Sequence, residues 1–344
     1  MQNSDLKVYK QKTNGRMDGA APVTSGVVQN VFPHVTSAQR TAGFFDYKKT
    51  FWKVADDADG TLIDPSVYTD APTLSATDYV TMFLMGQRDA IEDLTGYSTG
   101  TDTERKFGTA YLAENITAGA QTIVVVVKNA ALASGADLIF ADGDKIKLTD
   151  KATAAALTGN EEILTINGTP TVDGLEITIT VDELIANSYT AAGTPTITSP
   201  RVSSLIVPTT DIETSVTTPV VTSTAGTLDT STYPIILDNI GTVDEDWTLT
   251  FTDATHYSLT GDSLTGTIGT GTTGGDFAPN NTTFTKPYFT IEQEVWGGTW
   301  QAGDTVTFTT HPAAIGIGQK RVVPAGSASL ANNKTTQVIV GEAV

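Results

Sequence analysis

Ala141-Asp-Gly-Asp-Lys-Ile-Lys-Leu-Thr149 and, 160 residues later, Gln301-Ala-Gly-Asp-Thr-Val-Thr-Phe-Thr309 share one pattern. In each, a glycine (Gly143, Gly303) suits a tight turn and the next aspartate (Asp144, Asp304) can accept a bond within it. A run alternating between two faces follows, as a half-buried strand requires. Two copies are too few for a solenoid. They do predict two β modules of related local form.

The same period of two extends outward from the first copy. Thr122 to Lys128 reads as a strand buried on both faces, and Glu162 to Asn167 and Leu175 to Val181 flank a Thr-Pro-Thr-Val-Asp-Gly turn. Around the second copy, Tyr233 to Leu237, Trp247 to Thr252, Tyr288 to Glu292 and Gln337 to Val340 read as strands. The Gly266 to Gly275 tract reads as a flexible surface loop. Nearer the N-terminus, Tyr47 to Val54 reads as a strand mixing aromatic and basic residues, followed by an Asp56-Asp57-Ala58-Asp59-Gly60 turn and a short return strand, Thr61 to Ile63. One helix is predicted near 75–94, capped by Ser75 or Thr77 with an apolar stripe through Tyr79, Val80, Phe83, Leu84, Ile91 and Leu94. The expected fold is therefore mainly β and multi-domain. A small α+β N-terminal domain (1–106) precedes a β module (107–205), a Thr/Ser/Pro-rich linker or edge (206–232) and a C-terminal β module (233–344), the modules being β-sandwich or β-barrel-like.

Composition supports this reading and excludes several functions. The 344 residues include 61 Thr, 43 of them beyond residue 150, which favours strands over helices. No cysteine is present, which removes disulfides, thiolate metal sites and Cys nucleophiles. The net charge of −19 argues against direct nucleic-acid binding and against adsorption to an anionic membrane. The longest purely apolar run, Ile123 to Val127, is far short of the ~20 residues that span a bilayer, so no membrane insertion is expected. Met1 to Asp5 lacks the basic and apolar regions of a signal peptide. Charge is uneven: residues 1–106 sum to −3 and residues 107–344 to −16.

Candidate chemistry is sparse. His34, His256 and His311 lie in separate segments without metal-ligand spacing, and no nucleophile elbow or phosphate-binding glycine loop occurs. No catalytic residue, cofactor or metal is assigned. Asp57, Asp59 and Asp64, and separately Asp142 and Asp144, offer clustered oxygens that calcium could use, but the EF-hand pattern fails at Tyr68 and simple turns explain both. Asp244-Glu245-Asp246 reads as a solvated turn. Trp296 and Trp300, flanking Gly297-Gly298, are candidates for a glycan-contact platform, with burial in the core as the competing reading. Lys48, Lys49, Phe51, Trp52 and Lys53 are candidates for an assembly interface, because aromatic and basic side chains suit anchors against an acidic neighbour; Phe51 and Trp52 filling the domain's own core is the alternative.

The run Gly43-Phe-Phe-Asp-Tyr-Lys-Lys-Thr-Phe-Trp-Lys-Val54, with Thr61 to Tyr68, Asp70 to Val80, Trp296 to Ala314 and Lys320 to Gly326, resembles tailed-bacteriophage virion structural proteins over about a third of the chain. The resemblance implies a non-enzymatic component of capsid, neck or tail, made in the host bacterial cytoplasm and located in the virion. It would associate with other virion proteins and with copies of itself as a homo-oligomer. Two other functions fit the residues: a receptor- or glycan-binding spike using a host-surface glycan, and a particle-associated polysaccharide-degrading enzyme.

Overall fold

The computed structural model describes residues 1–344 and is mainly β, with several antiparallel sheets and little helix. Its organising element is a five-stranded root sheet in the order Met17–Pro22, Leu6–Gln11, Phe44–Val54, Ala314–Val323, Tyr79–Met85. The fourth of these strands comes from the far end of the chain. It pairs along ten residues with Phe44–Val54, from Ala314 opposite Lys53 to Val323 opposite Phe44. A second layer, Leu62–Ala71 paired with Thr336–Ala343, covers one face of that sheet. Trp52, Val67, Met82, Ile206 and Ile317 fill the space between the layers.

This topology corrects the expected domain boundaries. Residues from about 312 to 344 leave the C-terminal module and complete the N-terminal domain, so both β modules are insertions into one root. Gln337 to Val340 is a strand, as the pattern indicates, but of the root. The redistribution also sharpens the charge asymmetry. With Lys320, Arg321, Lys334 and Glu342 added, the root sums to −1 and residues 107–311 to −18.

The helix expected near 75–94 does not form. Ser75 to Asp78 make a polar turn in which the Ser75 hydroxyl accepts from the Thr77 and Asp78 amides. Tyr79–Met85 is then an edge strand of the root, and only a short 3₁₀ turn, Ile91–Asp93, follows. The apolar residues misled because Tyr79, Thr81, Met82, Phe83 and Met85 are buried from both faces, which a periodicity argument cannot tell from a helical stripe. Phe83 lies flat across Gly318 on the neighbouring strand, where a Cβ would sit 2.2 Å from its ring.

The first insertion orders its strands Thr171–Asp173, Glu176–Thr180, Thr122–Val126, Thr109–Leu112, Arg201–Ser204, Lys145–Thr149, Glu161–Thr165. The sheet then closes on itself. Ile166 bridges Val181, the Asn167 amide donates to the Thr180 carbonyl (2.9 Å), and the Asp182 amide to that of Thr165 (3.0 Å). The result is a barrel whose residues supply twenty members of a 21-residue buried cluster, mainly Ile, Val and Leu, with Tyr79 of the root packed against them.

The second insertion is built on a sheet in which Thr305–His311 and Glu245–Phe251 are central and His256–Gly261 and Gly269–Thr272 extend one side. The glycine tract is thus partly a strand, a correction to the flexible-loop expectation: Gly269 and Gly271 pair with Leu259 and Tyr257, whose ring needs the room a glycine leaves. The Thr-rich 206–232 segment docks as edge rather than hanging free, with Ser215–Val216 and Val220–Thr222 along Thr305–His311 and Gly226–Leu228 against Trp296–Gly298. Of the expected strands, Tyr233 to Leu237 and Tyr288 to Glu292 reduce to single bridges, Ile236 to Thr290 and Phe277 to Ile291.

The two echoing segments adopt the same turn. Gly143 and Gly303 have φ of +81° and +93° with open space where a Cβ would go, so backbone conformation alone demands glycine there. Asp144 accepts from the Ala141 amide (2.7 Å) and Asp304 from the Gln301 amide (2.9 Å).

Candidate functional site

The basic and aromatic side chains of Phe44–Val54 face inward. Phe51 and Lys53 are 1% exposed, Lys49 2% and Trp52 9%. The strand is central, flanked on both sides and covered on both faces, so its even positions (Thr50, Trp52, Val54) meet the second layer and its odd positions (Tyr47, Lys49, Phe51, Lys53) meet loops. Lys49, Phe51, Trp52 and Lys53 are therefore not an assembly interface of this chain, and Phe51 and Trp52 fill the domain's own core, the alternative reading. Lys48 alone stays partly exposed and pairs with Asp46 at 3.1 Å.

Burying lysines in a sheet is costly unless each ammonium finds acceptors. Lys49 Nζ donates toward four backbone carbonyls: Gly15 (2.9 Å), Gly86 (2.7 Å), Gln87 (3.2 Å) and Asp89 (2.7 Å). It ties the hairpin between the first two strands to the loop after Tyr79–Met85. Lys53 reaches the Ile240 (2.8 Å) and Thr242 (3.3 Å) carbonyls of the second insertion and lies over the Phe284 ring. Burial pushes Lys49 down to about 8 and Lys53 to about 7, against the pull of nearby carboxylates.

Further cations fasten the barrel to the root. Lys320 bonds Asp137 of the barrel and the Gly100 carbonyl, each at 2.7 Å, and approaches Asp102 at 3.6 Å. Asp102 also accepts from Lys106 and from the Tyr47 hydroxyl (2.5 Å). Tyr79 donates to the other Asp137 oxygen at 2.8 Å. Burial would raise the Asp102 carboxyl, but the bonds from Lys106 and Tyr47 outweigh it and hold it below the usual range. Arg201, wholly enclosed, pairs with Asp70 (2.6 Å) and the Lys151 carbonyl (2.8 Å). Lys128 reaches back from the barrel to the Thr73 and Ser75 carbonyls.

The second insertion is held through a more open charge cluster. Arg88 clamps Asp246 with both terminal nitrogens (2.6 and 2.9 Å) and bonds Asp244 through Nε. Arg16 bonds Asp262 at 2.6 Å, and His311 Nδ1 lies 2.8 Å from Asp244. Asp244 to Asp246 is therefore a junction, not the solvated turn expected of it. The Arg88 bonds hold Asp246 down at about 2. Burial would raise Asp244, but His311 and Arg88 outweigh it and depress it. Glu245 between them goes the other way: burial raises it, with Asp262 adding to the rise. A pocket of about 70 Å³ lies at this seam, lined by Arg16, Glu245, Ser263 and Phe284 among others. That is small beside the ~300–1,000 Å³ of ordinary ligand sites.

The remaining candidates disperse. Trp300 is 3% exposed and stacks on Phe251 (4.2 Å between centroids, 6° between planes), while Trp296 packs edge-on against both. Trp300 is core and the half-buried Trp296 packs against it, so the competing reading, burial in the core, replaces the glycan platform. Asp57 pairs with Lys286 (2.9 Å), Asp59 accepts from the Asn239 amide (2.7 Å), and Asp64 stands apart with its own amide bonded to Asp211 (3.0 Å). Asp142 accepts from Gly168 (2.8 Å), and Asp144 pairs with Arg105. No group of three or more His, Asp or Glu is placed to hold a metal ion. His34 is exposed and His256 pairs locally with Asp253.

Sequence reading missed Arg88, Arg201, Lys106, Lys128 and Lys320 as a set. The charge asymmetry between a nearly neutral root and strongly acidic insertions points to Arg88 and Lys320 alone; Arg201 and Lys128 belong to the barrel and reach acceptors on the root, and Lys106 pairs within the root. Comparison with family models, with curated proteins and with solved structures finds no match to this chain.

Proposed function

We propose that this chain is a non-enzymatic structural component of a tailed-phage virion, in which the root mediates assembly and the acidic insertions face outward. The observation that carries the structural half of this reading is the fastening of both insertions to one root sheet by buried or half-buried cations. Lys53, Lys128, Lys320, Arg88 and Arg201 are spent on carbonyls and carboxylates across the two seams, while Lys49 and Lys106 tie segments within the root, an arrangement that serves fixed geometry rather than turnover. The phage setting rests on the sequence resemblance: its N-terminal stretches and Lys320 to Gly326 lie in the root, whereas Trp296 to His311 belong to the second insertion. Net charge on the insertions would limit non-specific association of exposed β surfaces.

The test is antibody labelling of intact purified particles against the module of residues 215–311, with quantitative mass spectrometry of the same preparation. Regular surface labelling at a fixed copy number supports the reading. Absence of the chain from particles overturns it.

A further inference from the structure

The strand Thr336–Ala343 pairs with Leu62–Ala71 on one side only, leaving a long edge open. Natural edges are usually blunted by lysine, proline, bulges or brevity; the two register irregularities of this ladder, opposite Thr336/Gln337 and Val340/Glu342, put their extra residues on Leu62–Ala71, not on the edge strand. This one runs eight residues, Thr-Gln-Val-Ile-Val-Gly-Glu-Ala, with no proline and no lysine inside it. Gln337 and Ile339 turn inward, toward Gln319 and the core around Trp52, whereas Thr336, Val340 and Glu342 are exposed and Val338 is half-buried. Lys334, just before the strand, is exposed as well.

The geometry points to a second copy of this chain as the occupant of that edge, paired antiparallel about a two-fold axis through Val338. In that register Lys334 of each copy faces Glu342 of the other, so two opposite-charge pairs close the ends of the ladder. Val338 meets its own counterpart, and Val340 meets Thr336. A shift by one residue would place neither charge opposite its complement. The contact is self-complementary, as a two-fold interface must be. It joins two two-stranded layers into one four-stranded sheet and supplies backbone partners that the isolated chain lacks. This surface extends the assembly reading above by naming which edge meets which copy. A solution test separates its failure from a failure of particle labelling.

The test uses the full chain, and the absence of cysteine makes it clean. Facing Cα atoms in an antiparallel pair lie ~4.5–5.5 Å apart, inside the ~4.4–6.8 Å that a disulfide spans. Val338→Cys should form a disulfide-linked dimer on mild oxidation, while Val27→Cys, an exposed residue remote in sequence, should not. By sedimentation equilibrium at low salt, Lys334→Glu or Glu342→Lys alone should weaken the dimer roughly tenfold, and the double exchange should restore it. A chain that stays monomeric, a dimer indifferent to both single reversals, or a double exchange that fails to restore pairing would each overturn the inference.

Discussion

The barrel inserted after residue 106 fills its interior with Ile123, Val125, Ile146, Leu148, Ile177 and Ile179, whereas the module inserted after residue 212 fills its own with Trp247, Phe251, Tyr257, Phe289, Trp300 and Phe308. The barrel closes its hydrogen-bond ladder, so small branched side chains suffice to fill a narrow interior. The second module has one regular sheet facing a layer of loops and single bridges. Large rings, each burying ~150–250 Å², hold that irregular layer where a ladder cannot. The docking differs in parallel. Arg201, Asp70, Lys320 and Asp137 at the barrel seam are almost wholly enclosed, while Arg88 and Asp246 at the other seam are 37% and 45% exposed. One insertion is a closed body locked by buried ion pairs; the other is a ring-filled body held by partly screened ion pairs, with the buried Lys53 on its carbonyls.

The harshest way to break this comparison is to end the chain after His311. That removes Ala314–Val323 from the middle of the root sheet, and the root should fail to fold. The self-closed barrel should persist as the protease-resistant fragment, identified by mass, while the second module is digested. Survival of both or neither would show that the insertions do not differ in autonomy.

Next come the seams and cores. Asp70→Ala leaves Arg201 buried without its carboxylate and should cost ~3–5 kcal/mol in denaturant unfolding. Trp300→Ala should cost a similar ~3–5 kcal/mol by opening the ring stack, against ~0.5–1.5 kcal/mol for Ile177→Val in the barrel. Arg88→Ala, at the more exposed seam, should cost only about 1 kcal/mol, and less at high salt. An Arg88 effect as large as that of Asp70 would erase the distinction between the two seams.

The smallest effects concern pH. Asp244 and Asp246 titrate below their unfolded values, so their stabilisation is complete above about pH 4 and is lost as pH falls toward 2. The second module should therefore loosen first in acid, seen as tryptophan fluorescence change before loss of far-ultraviolet signal. Lys53 behaves oppositely to a paired lysine: its folded value, about 7, lies below the unfolded one, so the unfolded chain holds more protons between the two. Melting temperature should rise from pH 7 toward 9.5, and rise less in Lys53→Met. An equal rise in both proteins would remove Lys53 from the account.

Much of the β content was legible. The turn-and-strand pattern at Gly143 and Gly303 is local chemistry, and it reappears as the same backbone turn with the same aspartate bond. The strand Tyr79–Met85 was not legible and read as a helix, because a strand covered on both faces carries apolar residues without alternation. Lys49 and Lys53 misled for a related reason. A basic residue in sequence reads as surface, and only the carbonyls of Gly15, Gly86 and Ile240, brought in from distant loops, make an interior place for it. Trp300 offered two readings, and Phe251 lying parallel to it decides for the core.

Composition and local pattern by themselves determined a cysteine-free, Thr-rich, mainly β chain with acidity concentrated beyond residue 106, since propensity, turn chemistry and charge are properties of residues and near neighbours. Only the tertiary structure decided that the last thirty or so residues return to the first domain, and that the near-neutral root and the acidic insertions are counterparts across two seams. Strand order and the partner of a buried cation depend on contacts between segments hundreds of residues apart, which no local period records.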